Sequence, residues 1–371
     1  MVLRHILVAL LLVGTLFLSG CPVAPDHGAI ILRLHDTCCD EISGKGGLVI
    51  AFDSRDGEKE GWLTHFRSYA GSPQWRSDGE RILYQCDGDV MLMDSDGGNK
   101  TTVLDGSGAV SVHFSQDEKS IFYLVSENSS TYEIRSINVD GTDDKGGIVT
   151  GVAVSPFDVA PATGRILYGR STSIPDPVYT GVQKIVYQVF SAAPDGSGEV
   201  ELCGEHADAV SIGDVSPDGQ LAVLFVERQM PPDEPQVNLP YRWAMVVARV
   251  DGTGEPVIII GGMQQGSDGW AQWPRFNADG TRLVYVEGNM LVTVTPQGGD
   301  RKEILLSDGS GPSNAWFDPE DQGRIWFAAQ SLFALGFTQY ASGSASITLD
   351  GTDLRREPVG LSHRDLYQPG F

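Results

Sequence analysis

The sequence is poor in positive charge. Its 371 residues include 26 lysines and arginines against 49 aspartates and glutamates, a formal net charge of −23. Nucleic acids and anionic membrane surfaces bind clustered Lys and Arg, so this balance argues against both as partners. Cationic proteins and neutral glycans are compatible with it.

Long apolar runs are also missing, because the longest, at positions 6–18, is too short to span a bilayer. It follows Arg4, and this order is typical of a secretory signal peptide. Leu18-Ser19-Gly20-Cys21 resembles the bacterial lipobox, in which cleavage precedes a lipidated cysteine. The alternative is an ordinary signal with a chance cysteine. We expect a signal peptide at 1–20 and a lipidated tether at 21–28, anchored by Cys21.

The residue after the lipobox cysteine is Pro22 rather than aspartate. By the sorting pattern of Gram-negative lipoproteins, this resemblance implies the outer membrane. We expect the periplasmic side, with surface exposure as the alternative. Two or three acyl chains give stable anchoring, whereas a single chain gives only marginal binding.

No long stretch has helical periodicity, whereas 45 glycines and 20 prolines fit many turns. Short apolar runs alternate with Asp-Gly turns, the strongest local hairpin signal. The stretch 72–99 reads as three strands with turns at 77–80 and 87–88. The turn that closes this unit recurs at Asp56-Gly57, Asp96-Gly97, Asp140-Gly141, Asp195-Gly196, Asp251-Gly252, Gln297-Gly298 and Asp350-Gly351.

One such unit cannot bury its own face, so the repeats must pack against each other. The first repeat lacks its innermost strand, and segment 365–371 resembles the innermost strand at 72–75. We therefore predict an all-β fold over 29–371, a β-propeller of four-stranded blades. Seven blades are preferred, with blade 1 closed by N- and C-terminal strands, and six are the alternative.

The repeat resembles that of the TolB-type propeller family. SPQWRSDGERILY at 72–84, followed by VMLMDSDGGN at 90–99, is similar to the family pattern P-x-W-S-P-D-G-x-x-I-x-F and I-x-x-M-D-x-D-G-G. Further copies include DVSPDGQLAVLF at 214–225 and QWPRFNADGTRLVYV at 272–286. The resemblance implies the propeller fold. It says less about function, because one fold serves many unrelated roles.

Besides Cys21 the sequence has four cysteines: Cys38, Cys39, Cys86 and Cys203. Export would place them in an oxidising compartment, where disulfides form. Cys38, Cys39 and Cys86 follow the second strands of blades 1 and 2, whose equivalent ends lie near each other. We expect a bridge from Cys38 or Cys39 to Cys86, although four cysteines allow three pairings. Zinc is the rival interpretation, but C-x-x-C spacing is missing.

Loop lengths distinguish the two ends of the propeller. Strands alternate direction, so the first and third turns of every blade lie at one end, here called the turn face. The second turns and the links between blades lie at the other, the loop face.

All long insertions belong to the loop face: 35–47, 171–184, 228–242 and 330–343, with a long link at 261–272. Binding residues concentrate on loops held by a rigid scaffold, so we expect the loop face to bind the partner. Neutral drift of surface loops is the alternative. The candidate anchors are Tyr179, Tyr241, Trp270 and Trp273.

Few residues in the sequence suggest a metal site or a catalytic site. His65, His113, His206 and His363 fall near the channel mouth, where imidazoles bind divalent metals. The resemblance offers a precedent, because oligogalacturonate lyases share this repeat type and hold a metal with channel histidines. These four belong to different blade junctions, so we interpret them as ordinary surface histidines and expect no metal, cofactor or catalytic group. G-x-S-x-G is missing too, as is the phosphate-loop spacing.

Two functions follow from these patterns. The first is a non-enzymatic scaffold, a monomeric propeller lipoprotein that binds an envelope protein, as TolB-like proteins do. The second is a carbohydrate-binding or metal-dependent, lyase-like propeller that uses the channel mouth with Trp62, Trp270 and Trp273. We prefer the first.

Overall fold

The computed structural model describes residues 30–37, 47–54, 60–62, 70–128, 131–176, 181–203, 207, 209–229, 241–263, 271–306, 311–318, 321–331 and 341–356. Among these residues, no helix has the length and apolar character needed to cross a membrane. Their regular structure is antiparallel β-sheet, arranged in seven sheets numbered here in chain order.

Sheets 1 to 3 come first in the chain. Sheet 1 contains β1 (Ile30–Thr37), β2 (Gly47–Ser54) and β3 (Glu60–Trp62). Sheet 2 contains β4 (Ala70–Trp75), β5 (Arg81–Cys86), β6 (Asp89–Asp94) and β7 (Thr101–Leu104). Sheet 3 contains β8 (Ser111–Phe114), β9 (Ser120–Ser126), β10 (Tyr132–Asn138) and β11 (Lys145–Val152).

Sheets 4 to 7 repeat the four-stranded order. Sheet 4 contains β12 (Val154–Val159), β13 (Ile166–Pro175), β14 (Gln183–Ala192) and β15 (Val200–Glu201). Sheet 5 contains β16 (Ala209–Val215), β17 (Leu221–Gln229), β18 (Tyr241–Arg249) and β19 (Val257–Met263). Sheet 6 contains β20 (Ala271–Phe276), β21 (Leu283–Glu287), β22 (Met290–Val294) and β23 (Lys302–Leu305). Sheet 7 contains β24 (Gly311–Phe317), β25 (Arg324–Ser331), β26 (Ala341–Thr348) and β27 (Arg355–Arg356).

The Asp-Gly signals form turns as predicted. Asp87 and Gly88 have φ angles of 53° and 90° and join the paired residues Cys86 and Asp89. Positive φ at both central positions is the twist that a two-residue hairpin needs. The connection from β5 to β6 is therefore as short as a hairpin allows.

The hydrophobic core lies between consecutive sheets. One buried cluster joins Leu83 of sheet 2 to Val112 and Tyr123 of sheet 3. Four further clusters join sheets 3 and 4, 4 and 5, 5 and 6, and 6 and 7. The first strands β4, β8, β12, β16, β20 and β24 contact one another in that order. Sheets packed face to face around adjacent inner strands are the architecture of a propeller, so the predicted fold class is confirmed.

Two glycine turns pack closely on the preceding sheet, at sheets 3 and 4. Gly196, with φ 82°, lies over sheet 3, where an added Cβ would come 2.0 Å from the carbonyl oxygen of Ile148. Gly141, with φ 81°, lies in the same way over Val103 of sheet 2, at 2.9 Å. Side chains larger than hydrogen cannot approach backbone this closely, so the third turns of sheets 3 and 4 require glycine.

The closing strand predicted at 365–371 lies outside the described residues, as do the signal peptide and tether at 1–28. Closure of blade 1 by both chain ends, and the choice between seven and six blades, therefore stay predictions.

Candidate functional site: a buried inner-strand set and a loop face

The inner strands carry a recurring, mostly polar position. It is the residue that precedes the last apolar side chain of each strand, as Gln74 precedes Trp75. We call the six residues at this position the inner-strand set: Gln74, His113, Asp158, Asp214, Arg275 and Trp316. Two of them accept a backbone hydrogen bond from the next sheet. Gln74 accepts a hydrogen bond from the backbone N–H of Phe114 at 2.8 Å, and Asp214 accepts one from Phe276 at 2.7 Å.

His113 is the member that sequence analysis had singled out. It is 4 % exposed, with its ring edge against Phe157 at a centroid distance of 4.6 Å. Burial lowers its pKa to about 4, outweighing a hydrogen bond with the backbone of Phe157 that raises it. The imidazole is therefore neutral at neutral pH. The interpretation of His113 as a surface histidine is wrong, because its ring fills the space between sheets 3 and 4.

Polar neighbours surround this imidazole. Its Nε2 lies 3.4 Å from the hydroxyl of Ser111, and its Nδ1 lies 3.9 Å from a carboxylate oxygen of Asp158. These are the residue types of a hydrolase triad. Ser111 and Asp158 are 1 % and 5 % exposed, however, which leaves a substrate no access. The arrangement is a packed polar contact between sheets.

Asp214 and Arg275 form the corresponding contact between sheets 5 and 6. Asp214 is 3 % exposed, and its Oδ1 lies 3.7 Å from the guanidinium of Arg275 without a hydrogen-bond partner among the described residues. Arg275 instead donates to the carbonyl of Gly213 at 3.1 Å. Burial raises the pKa of Asp214 to about 6, although Arg275 and two backbone N–H groups act to lower it.

Metal ligands do not converge in this set. The described residues contain no group of three or more histidine, cysteine or acidic side chains placed to hold a metal ion. His65, His206 and His363 lie outside the described residues.

Several polar groups at the turn face form hydrogen bonds with the neighbouring sheet. The backbone N–H and hydroxyl of Ser77 in sheet 2 donate to the carboxylate of Glu118 in sheet 3, at 2.7 and 2.9 Å. The N–H of Ala278 in sheet 6 donates to Gln322 of sheet 7 at 3.2 Å. The Gln116 amide similarly contacts the Ala162 carbonyl of sheet 4. These bonds join the first turns of neighbouring sheets.

The loop face carries the long connections. Its hairpins end at the pairs Thr37 with Gly47, Pro175 with Gln183, Gln229 with Tyr241, and Ser331 with Ala341. By contrast, sheets 2 and 6 close with two-residue turns, at Cys86 with Asp89 and Glu287 with Met290. The predicted asymmetry between the two faces is thus visible in the strand pairing.

The structure describes the backbone of two of the four predicted anchor residues. Tyr241 begins β18, and Trp273 belongs to inner strand β20 rather than to a loop. Tyr179 and Trp270 lie outside the described residues. Sequence analysis missed Val182 and Ile185 at the hairpin of sheet 4, which are 49 % and 59 % exposed. A signal was present, because Ile185 and Val186 are adjacent and must point to opposite faces of a strand.

The predicted disulfide stays a prediction. Cys86 ends β5 at the loop face, with its sulfur 3.8 Å from a carboxylate oxygen of Asp87. Cys38 and Cys39 lie outside the described residues. Cys203 is buried in the core between sheets 4 and 5, with Leu202 and Ala207.

Solved propellers share this fold. The oligogalacturonate lyase from Vibrio parahaemolyticus is 11% identical with a TM-score of 0.57, over 92% of this chain and 89% of that one. The propeller domain of the trilobed protease from Pyrococcus furiosus, which has an open velcro topology, is 10% identical with a TM-score of 0.55, over 88% and 95%. TolB from Acinetobacter baumannii is 18% identical with a TM-score of 0.47, over 73% of this chain.

The chain is a β-propeller protein, and TolB propellers are among its structural neighbours. It spans 62% of the length of the Acinetobacter TolB chain. No family model matches the chain, and no curated protein matches it significantly. At these identities the comparisons establish the fold alone.

Proposed function

We propose that this chain is a non-enzymatic, protein-binding propeller lipoprotein, held by a lipid on Cys21 at the periplasmic side of the outer membrane. The observation that carries the proposal is the difference between the two faces. Polar groups of the turn face, such as Ser77 and Glu118, are engaged between sheets. The loop face instead combines four long connections with exposed apolar side chains.

The position of the tether supports this arrangement. β1 begins at Ile30, and its far end leads into the loop-face connection after Thr37. Ile30 therefore starts at the turn face, because β1 crosses the sheet once. A tether over 21–28 would hold the turn face toward the membrane and present the loop face to the periplasm.

The net negative charge of the chain favours partner proteins that are basic. A net charge of −23 repels acidic proteins and steers basic ones toward the propeller. The partner we propose is an envelope protein with a basic contact surface.

The test begins with the anchor. Full-length protein and its Cys21→Ser variant are expressed with a C-terminal tag, and cell fractions are separated. The wild type should be found in the outer-membrane fraction, and the Cys21→Ser variant should be lost from that fraction. The control variant Cys203→Ser keeps the lipobox and should stay in the outer-membrane fraction. Continued membrane attachment of Cys21→Ser would contradict the lipid anchor.

The binding role is tested on the wild-type protein in envelopes. Cross-linking followed by purification under denaturing conditions should recover a protein whose contacts map to the loop face. Cross-links confined to the turn face would contradict the proposal. Binding of a purified oligosaccharide at the channel mouth, with no protein cross-linked, would favour the carbohydrate alternative.

A further inference from the structure

Arg275 leaves the inner strand of sheet 6 on one side of the sheet and binds on the other side. Residues paired directly across an antiparallel sheet share a face. Arg275 pairs with Val284, which packs in the cluster between sheets 6 and 7. Its Nη1 nevertheless donates to the carbonyl of Gly213 in sheet 5, at 3.1 Å. The side chain of Arg275 therefore passes around an edge of sheet 6.

The edge that it passes is the one that borders the channel. β20 is the innermost strand of sheet 6, and β21 covers its other edge. Nη1 also contacts the carbonyl of Pro274 at 3.4 Å, so the side chain folds back along β20 and does not cross the end of the strand. The blades of a propeller surround a central channel. The guanidinium of Arg275 therefore lies along the channel wall, close to the turn face.

Two nitrogens of this guanidinium keep free donors. Both hydrogen bonds that the Arg275 side chain donates among the described residues come from Nη1. Nε and Nη2 have no partner there, and neither atom is enclosed, although the side chain is only 12% exposed. The N–H of Nε and one N–H of Nη2 point in parallel from one edge of a guanidinium. This edge matches two oxygens of a carboxylate or phosphate group.

Asp214 restrains the guanidinium without occupying that edge. Its Oδ1 lies 3.7 Å from Nη1 and has no hydrogen-bond partner among the described residues. Its other carboxylate oxygen accepts the backbone N–H of Phe276. The contact between Asp214 and Arg275 is thus a charge pair at Nη1 rather than a pair of parallel bonds. The edge formed by Nε and Nη2 is left for another oxyanion.

We propose that the Nε–Nη2 edge of Arg275 binds a carboxylate or phosphate group of a ligand in the channel. The inference is independent of the proposed protein-binding function, which uses the loop face. Two parallel charge-assisted hydrogen bonds fix the orientation of the anion. The net charge of −23 repels anions at long range, but salt screens this repulsion beyond about 8 Å at physiological ionic strength. The donors at the site therefore decide binding, and the charge of Asp214 weakens it.

The test follows the Nε–H signal of Arg275 by NMR in full-length protein labelled at arginine. Sodium formate or sodium methyl phosphate replaces sodium chloride at constant ionic strength and pH 7. At least one of the two anions should shift the Arg275 signal saturably. The signal of Arg301 should stay in place as the internal control, because its guanidinium already binds Glu287 and Glu303.

Two variants at the site provide a second readout. Arg275→Lys keeps the positive charge beside Asp214 but loses the parallel donors, and the missing signal identifies Arg275 in the spectrum. An anion that binds the folded state raises its stability to urea. Arg275→Lys should lose most of this anion-dependent stabilisation. Asp214→Asn should bind the anion at least about threefold more tightly, because the carboxylate repels a neighbouring anion even across water.

Signal shifts that grow in proportion to anion concentration without saturating would overturn the proposal, as would equal shifts of Arg275 and Arg301. Equal anion-dependent stabilisation of the wild type and Arg275→Lys would also overturn it. If Arg275→Lys does not fold, the comparison of the wild type with Asp214→Asn decides, and equal affinities would refute the site. Each of these outcomes leaves the binding of an envelope protein at the loop face to its own test.

Discussion

Asp214 on the inner strand of sheet 5 accepts a hydrogen bond from the backbone N–H of Phe276 on the inner strand of sheet 6, at 2.7 Å. Gln74 and Phe114 form the same bond between sheets 2 and 3, at 2.8 Å. One acceptor is a carboxylate and the other a neutral amide. The negative charge of Asp214 is therefore not needed for the bond, and its burial should cost stability.

Asp214→Asn should change how stability depends on pH. Burial raises the pKa of Asp214 from 3.8 to about 6, so the folded protein holds this proton more tightly than the unfolded chain does. The resulting stabilisation is complete below pH 3.8 and is lost as pH rises through 6, roughly 3 kcal/mol over the whole window. Urea unfolding should find Asp214→Asn more stable than the wild type at pH 8, with the difference shrinking toward pH 4. A difference independent of pH would contradict this assignment.

His113→Gln should have the opposite effect on the pH profile. Burial lowers the pKa of His113 from 6.5 to about 4, so the folded protein favours the neutral ring. This stabilisation is complete above pH 6.5 and is lost as pH falls through 4, again roughly 3 kcal/mol. Gln is a suitable replacement because Gln74 fills the equivalent position in sheet 2. Urea unfolding from pH 7 to 4 should show His113→Gln gaining stability relative to the wild type as the pH falls.

The two titrations largely cancel in the wild type between pH 4 and 6. Acidification should therefore destabilise Asp214→Asn, which keeps His113, and stabilise His113→Gln, which keeps Asp214. The double variant should be nearly flat where only these groups titrate. Slopes of the same sign in both single variants would show that other groups dominate this range.

Glu118 occupies a turn position where sheets 2, 5 and 6 have glycine. Its φ is 54°, and its carboxylate accepts the two bonds from Ser77. Ala and Gly variants both lose these bonds, but only alanine keeps the strain of positive φ. Glu118→Ala should therefore be less stable than Glu118→Gly by about 1 kcal/mol. Thermal and urea unfolding would measure the difference, and equal stabilities would show that the strain is relieved elsewhere.

The loop face can be tested against the turn face once a partner is known. Tyr241→Ala and Trp270→Ala remove candidate aromatic anchors, and a true anchor typically contributes about 2 kcal/mol or more, a thirtyfold change in affinity. Glu80→Lys is the control, because Glu80 lies in a turn-face loop with its side chain 71% exposed. Titration calorimetry on folded variants should find the control near wild-type affinity. Weakening by Glu80→Lys alone would place the partner on the other face.

Local chemistry predicted most of the fold, because an Asp-Gly pair such as Asp87-Gly88 dictates its turn without help from distant residues. The inner-strand set was not predictable in this way. Burial of His113 depends on Phe157 and Asp158, which reach it through packing between sheets. The exposure of Ile185 likewise depends on how sheet 4 packs against its neighbours, a property of tertiary structure rather than of composition.

The close packing of Gly141 and Gly196 on the preceding sheets also affects how such a chain can evolve. Gly196 rests on the sheet before it, as Gly141 rests on an earlier one. Sheet 3 thus carries both a turn that packs on the sheet before it and the surface that receives the turn of the next sheet. Gene duplication or deletion of a whole repeat would preserve every docking contact along the chain, whereas one substitution at Gly196 breaks one. Repeat number should therefore vary more easily among descendants of this chain than the identity of that single residue.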